Sequence, residues 1–301
     1  MFGSVFVSVL VPLIVISGTA YVLGRLTHLD PGPLARATFY LFSPSLVFVT
    51  LSSTTTAPEL MGRLALLKIL VCVILVLLSL FLARRLRCSS PTASGLALSS
   101  AFANSGNYGL SVTEYAFGQT GLALAVICYV ADNAMINSLG VFLAARGRTS
   151  VRRSVLQVFS NPAVYTLSLG LAANRLGWVI PAPIWRPLEM LGRAAVPAML
   201  VVLGLQLASL PVNRRYWKLI GLAGFLRLGL APLLALGLAV PLGLTGLARQ
   251  VGVLQTAVPT AVMASVIAAR YDAEPDLVAG SVMVTSLLSL ITVAALLSWM
   301  G

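Results

Sequence analysis

Charge is scarce in this sequence. Twenty basic and eight acidic residues make up nine per cent of 301 positions, whereas soluble domains carry roughly 25% charged residues. The one histidine, His28, falls between apolar runs, so histidine-based catalysis and histidine metal sites have no support. Cys72, Cys88 and Cys128 match no disulfide or metal spacing and read as small packing residues. No Gly-x-x-x-x-Gly-Lys-Ser/Thr loop occurs, which argues against an ATP-driven pump. An intramembrane protease would need two membrane aspartates or a Ser/His pair, and only Asp132 is placed centrally in an apolar run. The sequence points away from an enzyme and asks for no cofactor and no metal.

Apolar residues, by contrast, fill 58% of the chain, with a mean hydropathy of +0.97. A membrane helix takes about 20 apolar residues, so the chain can supply about ten. We predict an all-α polytopic membrane protein with spans near residues 2–23, 35–51, 64–83, 93–113 and 122–145, then 162–176, 187–207, 217–240, 247–268 and 277–299. The first run has no charged n-region and no small-x-small cleavage site, and reads as a span rather than a removed signal.

A formal net charge of +12 would suggest nucleic acid in a soluble chain. Here the basic residues concentrate in short connections, where they orient helices in the bilayer. The odd-numbered connections hold 13 of them, among them Arg84, Arg85, Arg87, Arg146, Arg148, Arg152 and Arg153. The even ones hold six, with Lys68 counted as one of these. That bias puts odd connections in the cytoplasm and both termini outside, in the cell (inner) membrane. Lys68 and Lys218 are the only lysines, a preference for arginine that fits a GC-rich bacterial genome.

The basic stretch 146–160 reads as a cytoplasmic linker between two halves, 1–145 and 161–301. The halves share ordered landmarks: Pro12, Arg25, Pro31 and Pro33 recur 150 positions later as Pro162, Arg175, Pro181 and Pro183, and Pro44 recurs at Pro197. Each half holds five spans, and an odd number makes the second half enter from the opposite face. Ten helices in two inverted five-helix repeats are the expectation, an architecture of secondary transporters.

Against this apolar background, 99–111 (Ser-Ser-Ala-Phe-Ala-Asn-Ser-Gly-Asn-Tyr-Gly-Leu-Ser) is conspicuously polar. Small residues can simply let helices approach, but amides at membrane depth need partners, and Gly106 and Gly109 could open the helix. The repeat pairs this stretch with 254–261, which carries Gln255, Thr256, Pro259 and Thr260. Two interrupted helices at corresponding positions point to a solute site, with Asn104, Ser105, Gly106, Asn107, Gly109, Gln255, Pro259 and Thr260 as candidate contacts.

Asp132, with Asn133 and Asn137 following, and Arg227 lie near the centres of spans five and eight. A lone charge there costs at least about 2.5–3.5 kcal/mol, so we expect Asp132 and Arg227 to face each other, as a static pair or as the coupling site for a proton or cation. Glu114 reads as interfacial, and Asp272, Glu274 and Asp276 read as solvated.

Asn104-Ser-Gly-Asn-Tyr-Gly109 with Phe117-Gly118, and Pro259 with Tyr271-Asp-Ala-Glu-Pro275 and 284–292, resemble the fourth and later spans of the auxin efflux carrier family. The resemblance runs over nearly the whole chain. It implies that helices four and nine cross at their broken centres at the bilayer midplane, that helices 1, 2, 6 and 7 form a scaffold, and that helices 3–5 and 8–10 form a mobile transport domain. It also implies an elevator-type secondary transporter or efflux carrier for a small organic anion, with Asn104 at the substrate and Pro259 at the crossover. The partners are then that anion and the lipid bilayer, not nucleic acid; proton or sodium coupling and a homodimer stay open. A sodium-coupled bile-acid-type symporter of the same fold, or a non-transporting membrane receptor or scaffold, is the alternative.

Overall fold

The computed structural model describes residues 2–146, 156, 161–210 and 213–300. The linker expected at 146–160 therefore lies, apart from Arg146 and Leu156, outside the described residues. The described chain is helical, and its only strand-like feature is a single bridge between Ala103 and Thr260. Eleven helices are labelled here in chain order: α1 (Phe2–Thr27), α2 (Gly32–Ser52), α3 (Pro58–Arg85), α4 (Ser90–Ala101), α5 (Ser105–Ala145), α6 (Pro162–Arg175), α7 (Ala182–Ser209), α8 (Trp217–Ala239), α9 (Gly246–Ala257), α10 (Val262–Tyr271) and α11 (Pro275–Met300). Among the described residues seven of these are long and apolar enough to cross a membrane: α1, α2, α3, α5, α7, α8 and α11. This is an integral membrane protein of multiple apolar helices.

The other runs expected from the sequence are shorter or divided. The run at 93–113 is split between α4 and α5, and that at 247–268 between α9 and α10. The long α5 changes direction at Gly118, whose φ of 62° and ψ of −158° suit a residue without a Cβ. Residues 105–117 and 119–145 are thus two arms of one helical run.

Packing sorts the helices into two groups. In one, α1 lies along α7, α6 lies along α2, and α2 meets α7. Close approach is built in here, since a Cβ on Gly204 of α7 would fall on the Ser17 carbonyl of α1. In the other group, α3 packs on α4 and α5, α8 on α9 and α11, and α9 on α5. Small residues at such crossings let backbones come close enough for dispersion to hold helices together where lipid is as apolar as leucine.

Several helices widen locally into π-type turns, including Thr38–Phe42, Ser105–Leu110 and Phe225–Leu230. Such turns recur at functional sites because they free backbone groups and re-aim side chains. The last of them carries Arg227, which is buried.

Candidate functional site

Two chain breaks meet at the centre of the second group. Phe102–Asn104 leaves the helix between α4 and α5, and Val258–Ala261 does so between α9 and α10. The two segments pair antiparallel: the Asn104 N–H donates to the Pro259 carbonyl (2.8 Å) and the Ala261 N–H to the Phe102 carbonyl (2.9 Å). Backbone that would be orphaned by leaving the helix is thereby satisfied. The interruption lies before Gly106 and Gly109, correcting the expectation that these glycines open the helix. Both sit inside helical turns and permit close approach instead: a Cβ on Gly106 would press on the Tyr129 ring at 2.8 Å, and one on Gly109 would meet the Gln255 side chain.

Four helix ends converge on this crossing. The carbonyl ends of α4 and α9 lie on one side, where side-chain cations meet them. Arg227, 1% exposed, donates from Nη1 to the carbonyls of Ala101 (3.0 Å) and Ser100 (3.4 Å) and from Nη2 to that of Thr256. Lys68, 2% exposed, donates from Nζ to the Gln255 carbonyl at 2.6 Å and pairs with the Asp132 carboxylate at 2.9 Å. Two sequence expectations are corrected. Asp132 pairs with Lys68 rather than with Arg227, and Lys68 is a buried residue of α3 rather than a connection charge. A cation beside a helix carbonyl end is favoured by the helix dipole, which places roughly −0.5 of a charge there.

The amide ends of α5 and α10 lie on the other side, and there a cavity of about 130 Å³ opens. It is lined from the second group by Asn104, Ser105, Gly106, Asn107, Tyr129, Asp132, Asn133 and Ala261, and from the first by Thr38, Phe39, Ser43, Met199, Val202 and Gln206. The cavity therefore sits between the two groups of helices. Asn104 is 6% exposed, yet its Nδ2 has no hydrogen-bond partner, and it does not cap the helix it precedes. An unpaired buried amide costs about 1–3 kcal/mol, so this N–H₂ is a donor waiting for an acceptor. Ser105 donates to Asp132, and Asn107 Nδ2 reaches Gln206 Oε1 at 3.3 Å across the gap between the groups.

The remaining candidates fall elsewhere. Gln255 is fully buried and donates to Thr113 (3.0 Å), while Thr260 donates to the Ser99 carbonyl (2.6 Å) and accepts no cavity contact. Pro259 supplies a carbonyl to the crossing, and Asn137 donates to the Asn133 carbonyl at 2.8 Å. These four and Gly109 position the site without lining it. Sequence reasoning missed Lys68, Tyr129, Thr38 and Gln206. For Lys68 the signal was present, a lysine in the run that continues unbroken to residue 83.

Away from the cavity, Glu274 is not simply solvated. It accepts from Tyr216 (2.6 Å) and Thr92 (3.1 Å), and Asp276 accepts from Asn213 (2.8 Å), tying the starts of α4, α8 and α11 together. Tyr216, outside the spans, has its pKa raised by that hydrogen bond to the Glu274 carboxylate.

A family model described as membrane transport protein matches residues 5–157 and 146–297. An uncharacterized transporter of Methanothermobacter thermautotrophicus is 32% identical over 291 residues, covering 95% of this chain and 94% of that protein. An uncharacterized transporter of Methanocaldococcus jannaschii is 26% identical, covering 87% of each. A Rhizobium meliloti protein proposed to be a malonate transporter is 28% identical over 271 residues, covering 86% of this chain and 83% of that protein.

Proposed function

The chain belongs to the auxin efflux carrier family of membrane transport proteins, and from that premise we propose that it carries a small organic anion, a carboxylate, across the membrane. The observation that carries this reading is the buried, unpartnered Asn104 amide facing a cavity at two helix amide ends. Each such end contributes roughly +0.5 of a charge, and backbone N–H groups there are donors for anions. Asp132, the one lining carboxylate, is cancelled by Lys68 beneath it. The Rhizobium relative, proposed to carry malonate, supports a carboxylate.

In this reading Asn104, Ser105, Gly106 and Asn107 hold the anion, with Asn133 and Gln206 completing the polar wall. Gln255, Pro259 and Thr260 keep the crossing in shape. The ten spans form two inverted five-helix repeats, with both termini outside. Correspondence between the halves supports this: α1 on α7 mirrors α6 on α2, and α4 on α11 mirrors α9 on α5. The group of α1, α2, α6 and α7 is the scaffold, and the remainder moves against it as an elevator, carrying the cavity past the α2–α7 wall.

Purified protein in liposomes, loaded with malonate and assayed for counterflow of labelled malonate and other small carboxylates, tests the reading. Saturable exchange that is strongly weakened in Asn104→Ala is expected. Binding of the anion without flux would instead favour a receptor.

A further inference from the structure

The carbonyl side of the crossing is built like a cation site. The ends of α4 and α9 bring the carbonyl oxygens of Ala101, Thr256 and Gln255 together with the Asp132 carboxylate within one buried cluster. Hard cations take such oxygen sets, and in transporters with broken helices these ends are where sodium is coordinated. Here the oxygens are already engaged by side chains. Lys68 reaches from α3 to the end of α9, and Arg227 reaches from α8 to the ends of both α4 and α9. The two cations stand on the third helices of the two halves and between them engage both carbonyl ends.

We propose that Lys68 and Arg227 are fixed counter-ions occupying the place of a coupling sodium, so that the protein works without sodium. The charge balance supports it. The helix ends contribute roughly +0.5 each at the amide side and −0.5 each at the carbonyl side, which cancel. Lys68, Arg227 and Asp132 then leave +1 beside the cavity, so the site attracts an anion without an added cation.

This rests on the transport reading, but its test needs no substrate, so the two fail separately. Thermal unfolding of purified full-length protein is followed by tryptophan fluorescence in sodium chloride and in choline chloride at equal concentration, with ²²Na⁺ binding measured alongside. The wild-type protein is expected to unfold at the same temperature in both salts and to bind no sodium saturably. Lys68→Ala, which frees Asp132 and the Gln255 carbonyl, is expected to gain a saturable sodium-dependent upward shift, whereas Arg227→Lys is expected to stay insensitive. A saturable sodium shift in the wild type would overturn the proposal, and so would a folded Lys68→Ala that ignores sodium. If Lys68→Ala does not fold, the wild-type measurements still decide.

Discussion

The two sides of the crossing are made from the same chain breaks and differ in what lies beside their unmet polar atoms. On the carbonyl side, charges reach in from α3 and α8 and the backbone oxygens find partners, and the atoms left unmet there, Arg227 Nε and Gln255 Oε1, line no part of the cavity. On the amide side, Asn104 keeps a buried donor unmet and a cavity lies beside it. Partnered buried groups hold a structure together, and unpartnered ones cost stability unless a ligand supplies the partner. The carbonyl side is thus where stability should be lost on substitution, and the amide side is where binding should be lost with stability kept.

The largest effect is expected for Arg227→Ala. It strips the carbonyls of Ala101, Ser100 and Thr256 of their donor and should cost about 1–3 kcal/mol for each buried acceptor left unmet, more in sum than any other single change here. Loss of a monodisperse peak in detergent gel filtration would show it; a fully stable variant would break the contrast between the two sides. Next, Lys68→Met and Asp132→Leu singly should each destabilise by about 3–5 kcal/mol, and the double substitution by much less, because it leaves no buried charge alone. Unfolding midpoints of the three variants measure the coupling.

Asn104→Ala should lower anion affinity by about 1.5–3 kcal/mol, roughly ten- to a hundredfold, while leaving the unfolding temperature unchanged or slightly raised. Gly106→Ala, on the same side, is expected to lose both stability and transport: its Cβ would press on Tyr129 at 2.8 Å, costing about 1–3 kcal/mol as overpacking and narrowing the cavity, seen as weaker flux. The smallest effect belongs to Tyr216→Phe, at most about 1 kcal/mol because water reaches this pair. The folded pKa of Tyr216 is raised by Glu274, so this contribution is full below the ordinary tyrosine pKa of about 10 and is lost as pH rises through the folded value. A stability-versus-pH comparison of wild type and Tyr216→Phe checks the sign.

The membrane class and the positions of the two interrupted helices were legible because they rest on local signals: apolar runs, a cluster of amides, and Pro259 within a run. The location of the first break was not. Phe102–Asn104 leaves the helix because its backbone pairs with Pro259 and Ala261, a partnership more than 150 positions away that no local propensity contains. Lys68 was misread as a connection charge because it sits near the start of the run at 64–83, whereas α3 begins at Pro58 and buries it. Asp132 was matched to the wrong cation for the same reason: pairing by rarity of charge cannot see which helices are neighbours. Among the candidate contacts, Asn104 to Asn107 line the cavity, but Gln255 and Thr260 turned inward to the crossing, since residue type alone does not give the side a helix presents.

The most direct measurement is counterflow of labelled malonate by purified wild-type and Asn104→Ala protein in liposomes, with unfolding temperatures recorded on the same preparations. The expected result is saturable exchange by the wild type and, in a variant that unfolds at the same temperature, exchange that needs roughly ten- to a hundredfold more malonate to saturate. Equal exchange by both would contradict the assignment of Asn104 and of the amide side of the crossing as the anion site.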